Sequence, residues 1–189
     1  MRQHLGASLG IVVGFIALLW GVELANAMVD HHLNAWGIVP RTAMGLVGIP
    51  LSPFLHAGSQ HMMLNMMPLA VLGSLIALHG RRLFIEVSLI IIFLGGAGVW
   101  LFGRLAYHVG ASGLIFGYFG YLVGRGWYER SILSILLALV TIFFYGGIIW
   151  GVVPTQTYVS WETHLFGLFA GVVAARLAKS RSRTQVVHT

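Results

Sequence analysis

The sequence predicts an all-α membrane protein: a compact bundle of six transmembrane helices with a long outer loop between the first and the second. Three observations predict it. Hydrophobic residues make up 58% of the chain and charged residues only 8%, whereas a water-soluble domain carries about 25% charged residues. Six stretches come close to the roughly 20 apolar residues that a helix needs to cross a bilayer core. Most lysines and arginines fall on one side of the membrane if those helices alternate. The length of 189 residues suits a single domain. There is no cysteine, which excludes disulfides, thiolate catalysis and Cys-based zinc sites.

The first stretch, Ser8–Met28, is too long for a signal-peptide core and no clear cleavage site follows it, so it reads as a retained helix. The connector from Val29 to Ser59 holds Pro40, Pro50 and Pro53 and reads as irregular structure or short helices in the interface. A connector of that length in a compact domain is usually functional. The second and third stretches, Gln60–Leu78 and Leu83–Leu101, are joined by a short basic link. The fourth, Ser112–Trp127, is short and is expected to start below the membrane surface. That is tolerable where the preceding backbone lies in protein or a wet cavity. The fifth and sixth are Ser131–Trp150 and Trp161–Ala178, with a basic tail over 179–189.

Orientation follows from charge. Arg2, Arg81, Arg82, Arg125, Arg130, Arg176, Lys179, Arg181 and Arg183 share one side; Arg41 and Arg104 lie on the other. The positive-inside rule puts the larger group, and both termini, in the cytoplasm. The net charge of +6 is then explained by topology and anionic lipid, with no nucleic-acid partner to invoke.

With that topology, polar residues of three helices meet at one depth. His61 and Asn65 sit near the outer end of the second helix, spaced i and i+4 on one face. Ser112 opens the fourth helix, and His164 lies in the first turn of the sixth. Polar groups inside a membrane are expensive and mark function. Gly113 and Gly117 on the fourth helix, and Gly167, Gly171 and Ala175 on the sixth, are small residues four apart that let backbones approach closely. Such an approach brings His164 within hydrogen-bond reach of Ser112.

A serine hydroxyl is a weak nucleophile until a base takes its proton, and His164 is the best-placed base. Glu162 lies two positions from it on the helix and points elsewhere, so a dyad is favoured over a triad. Candidate donors to the developing oxyanion are the Ser112 N–H, the Asn65 amide and the His61 ring. An aspartyl mechanism needs two carboxylates sharing a proton, and Asp30 is the one aspartate in the chain. The His-Glu-x-x-His motif is absent. His56, His61, His108 and His164 suffice in number for zinc, but no ligand-spaced pair on one helix stands out. If His164 must be neutral to act, activity falls as pH drops through its pKa.

Gly110-Ala111-Ser112-Gly113 with Gly117, His56 and His61-Met62-Met63-Leu64-Asn65, and His164-Leu165-Phe166-Gly167 with Gly171 resemble the rhomboid intramembrane serine proteases of the basic six-helix bacterial form. The resemblance spans the core from about residue 40 to 178 of one domain, 1–189. It implies a rhomboid-like fold in a bacterial inner membrane, with the active site opening outward. It implies a Ser112 nucleophile, a His164 base and acid, and an oxyanion hole of His61, Asn65 and Ser112. Gly110, Gly113, Gly117, Gly167, Gly171, His56 and Arg41 are supporting residues, and Phe116 is the ring against the histidine. Gly37-Ile38-Val39-Pro40-Arg41 resembles a motif of the large outer loop, and Arg41 reads as a loop anchor on carbonyls or lipid phosphate. The resemblance further implies that the substrates are transmembrane segments of membrane proteins, cut near their outer end through an acyl-enzyme, with no metal or cofactor.

Two positions depart from the family pattern. Ala77 stands where a glutamate is common, and Phe116 where tyrosine is. Neither removes a reacting group. The alternative function class is a non-catalytic rhomboid-like protein that binds client helices; its usual sign is loss of the serine or histidine, and both are present here. A small transporter would show an internal repeat or paired broken helices, and neither is visible.

Overall fold

Burial is concentrated on one helix, α6 (Ser112–Glu129), which hides Leu114, Ile115, Phe116, Tyr118, Phe119, Tyr121 and Leu122 together with four of its glycines. The computed structural model describes the backbone of residues 2–155 and 159–187, and the side chains of 8–155 and 159–180. The Arg2, Arg181 and Arg183 side chains and the whole of His188 lie outside them. Around α6 stand α3 (Ser59–Ala77), α4 (Arg81–Ile90), α7 (Ile132–Tyr145) and α8 (Trp161–Val187), and α1 (Arg2–Met28) packs chiefly on α3. A π-helical turn, Ile91–Gly95, carries α4 into α5 (Gly96–Phe102), so these three pieces form one rod. Over 179–187 the tail simply continues α8.

Among the described residues, four helices are long and apolar enough to cross a membrane: Ser8–Met28, Ser59–Ala77, Arg81–Phe102 and Ile132–Val152. The protein is an integral membrane protein. Of the six spans read from the sequence, the fourth and sixth correspond to α6 and α8, which do not reach the same apolarity. The physical reason is their position. Most of α6 faces protein rather than lipid, so glycine, tyrosine and Arg125 are accommodated there. By contrast α7 presents Ile132, Leu136, Leu139, Phe143 and Phe144 outward, as a lipid-facing helix does.

The α6–α8 contact depends on small residues. A Cβ on Gly167 would strike the Gly113 carbonyl, and one on Gly171 the Gly117 carbonyl. The helices are therefore in backbone contact, the geometry that small residues four apart permit. Helix ends follow local chemistry. Arg130 adopts the left-handed conformation that closes α6, and the Ser131 hydroxyl accepts from the Ser134 N–H in a capping box that opens α7.

The connector between α1 and α3 is built from a 3-10 turn, His32–Trp36, then α2 (Ala43–Leu51) and a second turn, Ser52–Phe54. It is held by polar side chains. Asn26, fully buried, accepts from the Leu33 N–H and donates to Asn34; the Asn34 amide donates to the His56 carbonyl. His31 pairs with buried Glu23 at 3.1 Å. Arg41 donates to the carbonyls of Leu101 and Gly103 at 3.2 and 2.8 Å. Among the described residues, β pairing is confined to a bridge between Ile38 and His108, which lays the connector across the loop leading to Ser112.

Candidate active site

The loop entering α6 is fixed before Ser112 is reached. Gly110 has φ +119°, a region that L side chains rarely adopt, and a Cβ there would lie 2.7 Å from the His61 ring. Its N–H donates to the Ser52 carbonyl at 2.9 Å. The next N–H, that of Ala111, donates to His56 Nε2 at 3.3 Å. Gly110 and Ala111 are buried, so the chain dips into the protein and α6 starts there. Ser112 is the first residue of the helix, and its N–H has no partner one turn earlier in the helix.

His164 stands across from it. His164 Nε2 lies 2.9 Å from Ser112 Oγ, and His164 Nδ1 lies 2.9 Å from the Gly151 carbonyl oxygen. These two contacts select the tautomer. A carbonyl can only accept, so Nδ1 carries the proton, and the Nε2 lone pair faces the serine hydroxyl. That is the form a general base requires. The ring plane is set as well: Phe116 stacks on it with centroids 4.1 Å apart and planes 5° apart. Phe116 lies one turn beyond Ser112 on α6, so a single helix face carries both Ser112 and the ring that stacks on His164.

His61 and Asn65 are one turn apart on α3, with the His61 ring over Gly110. The Ala57 N–H points at His61 Nδ1 at 3.4 Å, which leaves Nε2 to carry the ring proton as a donor. Asn65 is buried, and its Nδ2 has no hydrogen-bond partner among the described residues. A buried donor without a partner costs about 1–3 kcal/mol, a cost that a negatively charged oxygen in the site would relieve.

The remaining expected residues take structural places. His56 sets its ring edge-on against the His61 ring of α3, with centroids 5.2 Å apart, and its Nε2 accepts from the Ala111 N–H, one residue before Ser112. Burial, then the neighbouring His61, push the His56 imidazole down to about 4, against the Phe54 carbonyl, which favours the charged form. Glu162 points away from His164: it lies 3.5 Å from Arg104 Nε and accepts from the Arg104 N–H. Among the described residues, no group of three His, Cys, Asp or Glu is placed to hold a metal ion. A small cavity beside the serine is lined by Gly110, Gly113, Ile38, Ile91, Ser52 and Thr163.

Sequence reasoning missed the Gly151 carbonyl. It is a backbone atom, and no side-chain pattern announces it. The one local signal is the glycine itself, since a Cβ at that position would fall 2.7 Å from Phe116 and 3.0 Å from His164 Nδ1.

A family model described as Rhomboid domain matches residues 41–181. An uncharacterized protein of Mycobacterium tuberculosis (strain ATCC 25618 / H37Rv) is 41% identical over 181 residues, covering 91% of this chain and 75% of the relative. An uncharacterized protein of Mycobacterium bovis matches to the same extent. One of Mycobacterium leprae is 40% identical over 181 residues, covering 91% of this chain and 72% of its own.

Proposed function

The chain belongs to the rhomboid family, and from that membership we propose that it is an intramembrane serine endopeptidase that cuts transmembrane segments of membrane proteins. The observation that carries the reading is the 2.9 Å contact between His164 Nε2 and Ser112 Oγ, with the opposite ring nitrogen donating to the Gly151 carbonyl. A serine and a neutral histidine in this arrangement are an activated nucleophile and its base.

The chemistry runs as acyl transfer. His164 Nε2 takes the Ser112 proton as Oγ bonds to the scissile carbonyl carbon. The carbonyl oxygen becomes an oxyanion, and the Ser112 N–H, the Asn65 amide and the His61 ring are the donors that receive it. The Gly151 carbonyl stabilises the imidazolium at Nδ1, the role a carboxylate plays in a triad. His164 then protonates the departing amine, leaving an acyl-Ser112 ester. Water enters, His164 takes its proton, and the ester is hydrolysed, which restores the serine.

In this reading α6 and α8 complete six membrane spans, the basic side faces the cytoplasm with both termini, and the site opens outward. A small residue beside the scissile bond suits the small glycine-lined cavity next to Ser112. Reconstitution with a fluorescent single-pass substrate tests the function: wild type cleaves it and Ser112→Ala does not. Binding of the helix without turnover by wild type, under conditions where a related active protease cuts, would replace this reading with that of a non-catalytic client binder.

A further inference from the structure

Two serine–histidine pairs join the same two segments. Ser112 meets His164, and four residues earlier on each segment His108 meets Ser160, with Nδ1 and Oγ 2.5 Å apart. In the first pair the serine belongs to the loop-α6 segment; in the second it belongs to the segment leading into α8. The mechanism above uses only the first.

The proton inventory of the second pair is closed. His108 is buried, and its Nε2 lies 3.0 Å from the Arg104 carbonyl, which can only accept. Nε2 therefore carries the ring proton, and the Nδ1 lone pair accepts from the Ser160 hydroxyl. The Ser160 oxygen keeps its own lone pairs, and it accepts from the Thr163 N–H at 3.3 Å and meets Thr163 Oγ1 at 2.5 Å. Ser160 thus caps the first turn of α8, the turn from which His164 projects, and the His164 N–H donates to the Ser160 carbonyl. The backbone of His108 is fixed in turn by both bonds of its bridge to Ile38. On the other side Thr163 packs on Gly113, where a Cβ would lie 2.8 Å from Thr163 Cγ2. A closed ring of contacts runs from His108 through Ser160 and Thr163 to Gly113, beside the nucleophile.

We propose that His108 and Ser160 are a positioning pair that sets the separation of Ser112 and His164, an inference that rests on reading those two as nucleophile and base. Neither residue touches the substrate. Their bond locks the start of α8 to the loop entering α6, so the reacting atoms inherit their spacing from a contact one turn away.

The test is labelling of the full-length protein in detergent by a fluorophosphonate, resolved into the apparent affinity for the probe and the maximal rate of modification. Ser160→Thr keeps the hydroxyl and Ser160→Val removes it at nearly equal volume. Ser160→Thr is expected to label like wild type. Ser160→Val is expected to lose about tenfold to a hundredfold in maximal rate, the scale of a misplacement of about 1 Å, with affinity unchanged. His108→Ala is expected to lose a similar factor, and the double variant to lose no more than the worse single one. Equal maximal rates for the Thr and Val variants, or losses that multiply in the double variant, would overturn the proposal. The parent reading fails separately: labelling of Ser112→Ala as fast as wild type removes both, whereas a silent Ser112→Ala with indistinguishable Ser160 variants removes this inference alone.

Discussion

The Phe116 ring lies flat on the His164 imidazole, with centroids 4.1 Å apart and planes 5° apart. Stacking fixes the one freedom that the two ring hydrogen bonds leave, rotation of the imidazole about the line joining its nitrogens. Phe116→Leu keeps an apolar side chain and removes the stack. Turnover is expected to fall by about tenfold to a hundredfold, with KM little changed, in a cleavage assay on reconstituted protein.

Gly151 supplies the acceptor that selects the His164 tautomer. In Gly151→Ala the new methyl would meet both Phe116 and His164, so ring and carbonyl cannot both keep their places. The residue lies at the edge of the fold, in the 3-10 segment Gly146–Val152. The variant is therefore expected to unfold at nearly the wild-type temperature while losing at least about tenfold in turnover. Thermal unfolding and cleavage measured on one preparation check both halves.

Gly171→Ala separates packing from chemistry. Its Cβ would enter the Gly117 carbonyl, a backbone atom with little room to give way. Overpacking of this kind costs about 1–3 kcal/mol or more. A lower unfolding temperature is expected together with lost activity, because the same contact carries His164 to Ser112.

His56 makes the fold acid-sensitive. Burial pushes its imidazole down to about 4 in the folded protein, from the 6.5 of a free histidine side chain. Between those values the unfolded chain binds the proton and the folded one does not. Stability is therefore fully present above about pH 6.5 and falls as pH drops, levelling off below about 4. A shift of this size corresponds to about 3 kcal/mol. Unfolding measured across that range is expected to show the fall in wild type and a shallower one in His56→Gln.

The side chains of the site were legible because a membrane makes polar residues conspicuous. His61, Asn65, Ser112 and His164 interrupt apolar helices, and alternation of the spans was enough to bring them to one depth. The close approach of α6 and α8 was legible in glycine spacing. Three features were not. The Gly151 carbonyl belongs to the backbone, which no residue pattern reports. The His108–Ser160 pair lies in loops, where no helical periodicity links the partners, and His108 drew notice only as one of several histidines. The enclosure of α6 is the third: Ser112–Trp127 reads as a span, but apolarity does not report which spans are enclosed by other helices and which, like α7, face lipid.

Reaction of a fluorophosphonate with wild type, Ser112→Ala and His164→Ala tests the central claim most directly, since it requires no knowledge of the substrate. Modification of wild type at Ser112, its absence in Ser112→Ala and a large loss of rate in His164→Ala are the predicted results. Equal labelling of all three proteins, or modification of wild type at another residue, would contradict the assignment of Ser112 and His164 as nucleophile and base.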